Sequence, residues 1–379
     1  MLLQYLSDLS SSLNDSRSEF GIYAVKTSFT ATQWQRQAAV ACVVIFFTAM
    51  AFKHDTPVSN DSSLSPMVVS KKPIDLYNNI QISKILVHPI KSCRGISLQS
   101  CRYSPEGLEH DRRFCIIEAG SHQVITAREV SKMVMITPRI KTDERSPHGG
   151  CESFSVPLYP VEEQWERLSD IALWRHEVDG FVCENQSSNG RSPSTILSEY
   201  FGRPVHLTVK GNKPRPCDPT VSFPNLKATA LYQDGYPLLV LSEESIDVLH
   251  EEIRSRVGTQ GIADEWSSQE FVIERFRPNI VLRGAGPFAE DNFEEIDIGS
   301  DDDTEMIGEE QPGILLLPNV CPETGVRDKA VPYKVLMKFR IGLDRQNKMK
   351  PCVGCNGVPL GNGMIKVGDT VNVRRIIAA

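Results

Sequence analysis

Leu-Leu-Leu-Pro-Asn-Val-Cys-Pro-Glu-Thr-Gly, residues 315–325, is the stretch on which the interpretation of this chain depends. Its apolar run stops at Pro318, and Pro322 and Gly325 then enclose Cys321. Proline ends regular pairing and glycine accepts turn conformations, so the pattern predicts a buried strand that leads into a tight loop.

Composition limits the class of protein. The chain has 379 residues, of which 40% are hydrophobic and 23% charged, which is typical of a soluble globular protein with room for two domains. A formal charge of −7 argues against a nucleic-acid partner, because phosphate binding usually requires a basic surface. The ten cysteines are mostly isolated, which favours reduced thiols in a protein that faces the cytosol.

The first 79 residues form a leader of different composition. Residues 38–52 carry no charge and lie between Arg36 and Lys53. A helix of this length spans about 22 Å, less than the roughly 30 Å hydrocarbon core of a bilayer. Two interpretations remain open: a disordered leader with a chance apolar patch, or a single membrane anchor whose flanking cations reach the interface. Residues 55–72, rich in Ser, Asn and Pro, predict a flexible tether.

Cationic loops follow the first predicted strand, residues 81–90. Residues 90–95, Ile-Lys-Ser-Cys-Arg-Gly, place Lys91 and Arg94 beside a hydroxyl group and a glycine, a combination that can receive a phosphate. Residues 114–118 are the next predicted strand, and residues 124–128 are its expected hairpin partner. Trp165 and Trp174, further along, are expected to pack in a core.

A strand at 237–241 leads to the best helix of the sequence. Ser242 can cap the N-terminus of this helix, and Ile246, Leu249 and Ile253 form its apolar face. A serine between a strand and a helix N-terminus is also a natural place for an anion, although a plain capping serine explains the pattern equally well.

Three further pieces flank or precede the opening stretch: Arg-Phe-Arg-Pro-Asn at 275–279, Gly-Met-Ile-Lys-Val-Gly-Asp at 363–369 and Asp-Arg-Arg-Phe at 111–114. In this order and spacing the chain resembles the MOSC family, in particular the mitochondrial amidoxime-reducing component and its fungal relatives. The resemblance implies an α+β, mainly β fold: a MOSC N-terminal β-barrel-like domain at 80–210, then a MOSC β-barrel domain with a few helices at 225–376.

The resemblance also implies a set of cofactor contacts. Its cofactor is a molybdenum-pterin, Mo-molybdopterin, and the implied contacts are Lys91, Ser92, Arg113, Arg128, Ser242, Arg277 and Asn279. All of these except Arg128 and Ser242 are expected to converge on one cleft between the two domains. Cationic side chains suit this role because an anionic pterin needs charge-assisted donors.

The position of the metal ligand departs from the family. An Arg-Cys pair whose cysteine binds molybdenum is expected shortly before Pro318, yet these two positions read Ile314 and Leu315. Residues 300–313 before them are acidic and turn-prone, which predicts a loop, or translated non-coding sequence from an incorrect splice assignment. Leucine cannot coordinate a metal, so Cys321 is the candidate substitute ligand. Cys352 and Cys355 have no second cysteine pair and are expected to be ordinary thiols.

The implied function is a molybdenum-dependent oxidoreductase that reduces small N-hydroxylated substrates. Its electrons would come from separate proteins, a cytochrome b5-type carrier and its reductase, and its soluble part would face the cytosol from the mitochondrial outer membrane; otherwise it would be cytoplasmic. The alternative is a catalytically impaired module that binds or carries the cofactor. Sulfurase members of the family carry a pyridoxal-phosphate domain, for which the segment before Ile80 is too short.

Overall fold

The computed structural model describes residues 19–24, 77–140, 153–159, 164–184, 190–220, 223–299, 305–312, 318–344 and 348–377. Within these residues lie three α-helices: α1 (Pro193–Phe201), α2 (Glu243–Arg254) and α3 (Tyr333–Phe339). The strands of the same residues are β1 (Glu19–Ala24), β2 (Ile80–Val87), β3 (Ile96–Leu98), β4 (Ser100–Ser104), β5 (Gly107–Leu108), β6 (Phe114–Glu118), β7 (Ile136–Ile140), β8 (Ser153–Pro157), β9 (Arg167–Leu173), β10 (His176–Val182), β11 (Val205–Lys210), β12 (Arg215–Pro216), β13 (Thr229–Ala230), β14 (Leu238–Ser242), β15 (Ile280–Arg283), β16 (Phe293–Ile298), β17 (Glu305–Pro312), β18 (Cys352–Pro359), β19 (Gly363–Lys366) and β20 (Thr370–Ile376).

The largest sheet closes into a ring. Its strands follow the order β15-β14-β18-β17-β16-β20-β2, with β3 attached to β2, and β2 also pairs with β15. Alternation along β2 turns Ile80 and Ile82 into the interior, where they join Leu238 and Ile280. A closed ring leaves no unpaired edge, which stabilises β2 although its neighbours come from far along the chain.

A second set of strands, apart from β1, lies between β3 and β14 in the sequence. β6, β11, β10 and β9 form a four-stranded antiparallel sheet, and β7, β1 and β8 form a three-stranded one. Phe114, Trp165 and Phe181 belong to the same buried cluster as Leu197 of α1. Helix α1 begins after Ser192, whose hydroxyl accepts the Thr195 amide at 3.2 Å, and ends at Gly202.

A helical layer covers one face of the ring. Ile246, Leu249 and Ile253 of α2 pack in one buried cluster with Val281 of β15, as the helical periodicity predicts. Leu336 of α3 completes this layer. The prediction of a mainly β fold with a few helices is therefore confirmed.

Three local expectations are wrong. Residues 305–312, expected as loop, form β17, because pairing with β16 on one side and β18 on the other outweighs their weak strand propensity. Residues 124–128 contribute a single bridge to β6, whose main antiparallel partner is β11. Trp174 is 45% exposed, since it lies in the turn between β9 and β10, whereas Trp165 is buried as expected.

The proposed anchor at 38–52 and tether at 55–72 lie outside the described residues. Among the residues that are described, no helix combines the length and apolar character needed to cross a membrane.

Candidate cofactor pocket

One pocket collects side chains from five separate parts of the chain, and we call it the Arg277 pocket. It is lined by Lys91, Ser92, Arg112, Gln233, Asp234, Phe276, Arg277, Asn279 and Asn356, among others. The predicted residues Lys91, Ser92, Arg277 and Asn279 are thus brought together. Lys91, Arg112 and Arg277 are three cations in this lining, although the formal net charge of the whole chain is −7.

Lys91 enters the pocket as a buried, paired cation. Its ammonium group donates to the Tyr232 carbonyl at 2.8 Å and forms an ion pair with Asp234. The other carboxylate oxygen of Asp234 accepts from Arg128 at 3.0 Å, so Arg128 reaches the pocket through Asp234. The Trp174 ring covers this cluster, with its centroid 4.5 Å from the Arg128 guanidinium carbon and 5.6 Å from Lys91 Nζ.

Arg112 is the most connected side chain of the pocket. Its Nη1 donates to both carboxylate oxygens of Asp111, at 2.8 and 2.7 Å, and to Asn279 Oδ1 at 3.1 Å. Its Nη2 donates to the Arg277 carbonyl at 3.1 Å. Asp111 also accepts the His88 amide at 2.8 Å. The fork geometry of arginine therefore fixes the Arg277 backbone against the end of β2.

Asn279 and Arg277 play different parts. The Asn279 amide is committed to the protein, because its Oδ1 accepts from the Leu239 amide at 3.1 Å and its Nδ2 donates to the Leu86 carbonyl at 3.2 Å. Arg277 donates Nη1 to the Cys93 carbonyl at 2.5 Å, but its Nη2 is buried with no hydrogen-bond partner among the described residues. Asn279 therefore holds the backbone segments of the pocket together, whereas Arg277 Nη2 is available to donate to a ligand.

Backbone strain concentrates at the same place. Ser92, Arg112 and Arg277 have φ values of 67°, 45° and 59°, in the left-handed region that L-residues rarely occupy. Each such residue costs on the order of 1 kcal/mol or more, and such residues tend to cluster where a ligand is held. At Arg277 the following Pro278 disfavours the right-handed helical conformation, as the sequence predicts.

Electrostatics in the pocket follow from burial. Burial lowers the pKa of Lys91 to about 8, although Asp234 acts in the opposite direction. Burial and the neighbouring Arg112 lower the pKa of Arg277 to about 10. Burial alone would raise the pKa of Asp234, but Lys91 and Arg128 hold it far below its ordinary value. At neutral pH the pocket therefore presents cations that an anionic ligand would stabilise.

The remaining predicted residues lie elsewhere. Arg113 lines a separate cavity with His110 and Tyr159, and its Nε donates to the Leu158 carbonyl at 2.8 Å. The structure thus places Arg112, not Arg113, in the Arg277 pocket. Buried Ser242 precedes α2 as predicted, but its hydroxyl donates to Glu290 Oε2 at 2.5 Å instead of capping the helix.

The metal ligand is not defined by the described residues. Ile314 and Leu315 lie outside them, and Cys321 is a half-buried thiol that donates to Glu323 Oε2 at 3.1 Å, outside the Arg277 pocket. No group of three or more His, Cys, Asp or Glu side chains in the described part of the chain could hold a metal ion. Cys352 and Cys355 are buried in β18.

The pocket fits one part of the implied cofactor. Its charge and the free Nη2 of Arg277 suit an anionic group. Its volume, about 40 Å³ for the centres of water-sized molecules, equals roughly three water sites at about 10–15 Å³ each. The described residues therefore have room for a phosphate-sized group, and a whole pterin would extend beyond the cavity.

Sequence reasoning missed two of the important side chains. Asp234 lies in the loop Leu-Tyr-Gln-Asp-Gly-Tyr-Pro at 231–237, and its main sequence signal is its position shortly before β14. The sequence pattern favours Arg113 over Arg112 as a cofactor contact. Two adjacent arginines before a strand point their side chains in different directions, and the left-handed φ of Arg112 determines which of the two faces the pocket.

Comparison with known proteins assigns the family. Residues 79–203 match the MOSC N-terminal beta barrel domain and residues 227–372 match the MOSC domain. Mitochondrial amidoxime-reducing component 1 of Mus musculus is 26% identical over 297 residues, which cover 76% of this chain and 81% of that protein. Mitochondrial amidoxime reducing component 2 of Homo sapiens is 24% identical, with coverage of 76% and 82%. Molybdenum cofactor sulfurase of Oryza sativa subsp. japonica is 29% identical over 246 residues, 61% of this chain and 27% of the sulfurase. The chain therefore belongs to the MOSC family, with a MOSC N-terminal beta barrel domain followed by a MOSC domain.

Proposed function

We propose that this chain binds a molybdenum-pterin cofactor at the Arg277 pocket and reduces N-hydroxylated compounds. The observation that carries the proposal is the buried Nη2 of Arg277, which has no partner among the described residues in a pocket that also holds Lys91 and Arg112. A buried guanidinium donor left unpaired is costly, and an anionic group offsets that cost. The names of the relatives, amidoxime-reducing component and molybdenum cofactor sulfurase, support this choice of anion.

The protein's share of the work is to hold and orient the cofactor. When bound, the cofactor supplies a metal centre that accepts and passes on electrons. Arg277 and Lys91 bind its anionic end, and Arg112 keeps the Arg277 backbone in position through its hydrogen bond to the Arg277 carbonyl. The His88 imidazole has its Nδ1 3.7 Å from Asp111 Oδ1. Burial holds the pKa of His88 well below its ordinary value, so this imidazole is neutral and adds no charge to the network.

The reaction must balance two electrons. Reduction of an amidoxime to an amidine breaks the N–O bond, consumes two electrons and two protons, and releases water. The sequence shows no flavin or haem motif, so the electrons come from a separate donor, which we propose to be a cytochrome b5-type protein with its reductase.

A reconstituted assay tests the proposal. Full-length protein is purified, its molybdenum and pterin contents are measured per chain, and benzamidoxime reduction is followed with cytochrome b5, its reductase and NADH. We expect pterin to be retained and benzamidine to form. Retained pterin without reduction would instead support the alternative, a cofactor-binding or carrier module in which Leu315 has replaced the family cysteine. Absence of both pterin and reduction would overturn both functions.

We also propose that residues 38–52 anchor the chain at the mitochondrial outer membrane with the MOSC domains on the cytosolic side. The support is the uncharged run itself and the word mitochondrial in the names of the relatives. Replacing Val44 and Phe46 by arginine places two charges in the run, each costing on the order of 2–3 kcal/mol at the centre of a bilayer. We expect the doubly substituted chain to leave the membrane fraction, and its retention there would contradict the anchor.

A further inference from the structure

A second cavity lies against the Arg277 pocket and shares one of its walls. This Arg275 cavity has a volume of about 390 Å³, and Arg277 lines both spaces. Its charged and polar lining consists of Lys84, His88, Arg94, Arg275, Arg277 and Glu323, together with Glu274 and Ser97. The volume lies within the range of about 300–1,000 Å³ that small-molecule sites usually occupy.

The cavity has more positive than negative charge. Four cations line it, and Glu274 and Glu323 are its two carboxylates. Glu274 is bound to Lys84 at 3.0 Å, and Glu323 accepts the Cys321 thiol. Among the described residues, Arg94 donates to the Pro322 carbonyl at 2.6 Å and Arg275 to the Pro318 carbonyl at 3.3 Å, and neither forms a direct ion pair with a carboxylate. The carboxylates of Glu323 and Asp328 and the thiol of Cys321 are still near enough to interact with the Arg275 charge.

Arg275 resembles Arg277 in having an unused donor. It is only 6% exposed, and its Nε has no hydrogen-bond partner in the part of the chain that the structure describes. The rings of Trp266 and Phe271 lie 5.6 and 5.5 Å from its guanidinium carbon and hold the side chain in place. Two buried guanidinium groups, those of Arg275 and Arg277, thus border one cavity. The Nη2 of Arg277 is assigned above to the cofactor, so Arg275 is the buried guanidinium group that is left for a second anion such as a carboxylate.

The rest of the lining is apolar. Leu86, Val134 and Val320 are buried there, and Val272 is 42% exposed. An apolar lining with a few convergent polar groups is the usual composition of a site for a small organic molecule. A ligand that matches both the cationic and the apolar lining has an anionic group and an apolar body about the size of an aromatic ring.

We propose that the Arg275 cavity is the substrate pocket and that it selects N-hydroxylated compounds that carry a carboxylate. This inference rests on the proposed function, because it adds a substrate class to the same site. The carboxylate binds Arg275 and Arg94, and the apolar body lies along the valines. Arg277, shared by the two spaces, brings such a substrate next to the cofactor pocket.

The test uses binding and does not depend on catalysis. Full-length protein is titrated calorimetrically with benzoate, with its neutral isostere benzamide and with inorganic phosphate. We expect benzoate to bind at least tenfold more tightly than benzamide, because a hydrogen bond to a charged group contributes more than one to a neutral group. Phosphate lacks the apolar body, so any phosphate binding should occur in the Arg277 pocket and should not change in Arg275→Gln; phosphate binding that is lost in this variant would contradict the proposal. Equal affinities for benzoate and benzamide would overturn the proposal.

Two buried cations provide the matched comparison. Arg275→Gln should remove most of the preference for benzoate, whereas Lys91→Gln, which removes a buried cation of the Arg277 pocket alone, should preserve it. The opposite pattern would place the anion in the Arg277 pocket and overturn the inference. If Arg275→Gln does not fold by circular dichroism, Arg94→Gln replaces it, and an unchanged preference in that variant is equally contradictory.

Turnover separates this inference from the proposed function. With reductase activity established, 4-carboxybenzamidoxime should have a lower KM than benzamidoxime, and Arg275→Gln should narrow the difference. Reduction without any such preference would refute the Arg275 cavity and leave the reductase intact. An Arg275-dependent preference for benzoate in a protein that reduces neither compound would refute the reductase and leave the cavity as an anion site.

Discussion

Arg112 and Asn279 lie 167 positions apart in the chain, yet Arg112 Nη1 donates to Asn279 Oδ1 at 3.1 Å. This hydrogen bond joins the loop before β6 to the loop before β15. Arg112 also contacts the backbone of Arg277, whose buried Nη2 has no partner among the described residues. The pocket is therefore a product of the tertiary fold, because each of its loops alone carries too few donors for an anionic cofactor.

The neighbouring arginines Arg112 and Arg113 provide the first prediction. Arg112→Lys keeps the charge but loses the fork that binds Asp111, Asn279 and the Arg277 carbonyl. We expect the pterin content per chain to fall about tenfold or more. Pterin is released, oxidised and measured by its fluorescence after dialysis of the purified protein.

Arg113→Lys is the matched control, because Arg113 lines a different cavity. It should keep the pterin content of the unaltered protein, and thermal melts of both variants should report whether the fold is retained. Equal losses in the two variants, or a larger loss in Arg113→Lys, would contradict the assignment of Arg112.

Ser242 distinguishes a structural role from a cofactor contact. Ser242→Ala removes the hydrogen bond that its hydroxyl donates to buried Glu290. The cost should be about 1–3 kcal/mol, visible as a lower midpoint in chemical denaturation, because the carboxylate loses a donor in the interior. Pterin content per folded chain should not change. A normal denaturation midpoint together with lost pterin would instead make Ser242 a cofactor ligand.

Glu290 predicts how stability depends on pH. Burial and the nearby Asp291 raise the pKa of Glu290 to about 7. The unfolded chain releases this proton near the ordinary value of about 4.5, so it binds fewer protons than the folded chain between these two values. Stability therefore falls as pH rises from about 4.5 to 7. Glu290→Gln should remove this fall. The free energy of unfolding of the variant minus that of the unaltered protein should therefore rise by on the order of 3 kcal/mol between about pH 4.5 and 7.

Urea denaturation at pH 5, 6, 7 and 8 measures the effect. Glu265→Gln, a change to an exposed carboxylate, is the control and should follow the unaltered protein. A constant difference between Glu290→Gln and the unaltered protein at all four pH values would refute the raised pKa.

The family ligand position provides a gain-of-binding test. Ile314→Arg combined with Leu315→Cys restores the pair that the family resemblance implies, and a thiolate is a strong ligand for a soft metal. We expect molybdenum per chain, measured by mass spectrometry, to rise severalfold over the unaltered protein. Cys321→Ser serves as the comparison. A loss of molybdenum in Cys321→Ser with no gain in the double variant would identify Cys321 as the ligand.

Much of the fold could be predicted from local patterns. The strand at 114–118 was predicted with the bounds that β6 has, since a compact run of Phe, Cys and Ile between polar turns has few alternatives. The spacing of Ile246, Leu249 and Ile253 likewise predicts helix α2. The division into domains at 80–210 and 225–376 stays a prediction. Strand β2 falls within the first of these ranges, yet it pairs with β15 and β20, which fall within the second.

What could not be predicted depends on long-range contacts. β17 is a strand because it forms backbone hydrogen bonds with β16 and β18. The local sequence, which is acidic, gives no sign of these two partners. Trp174 was expected in a core, but its position in a turn and the proximity of Arg128 leave its ring over a cation at the surface. The choice between Arg112 and Arg113 likewise depends on a backbone angle that sequence alone does not reveal.

An experimental structure of the full-length protein loaded with molybdenum-pterin tests the central claim most directly. The account predicts that the phosphate of the cofactor lies within hydrogen-bond reach of Arg277 Nη2, with Lys91 Nζ facing the same group. A cofactor phosphate in the cavity of Arg113 and His110, with Arg277 Nη2 untouched, would contradict it.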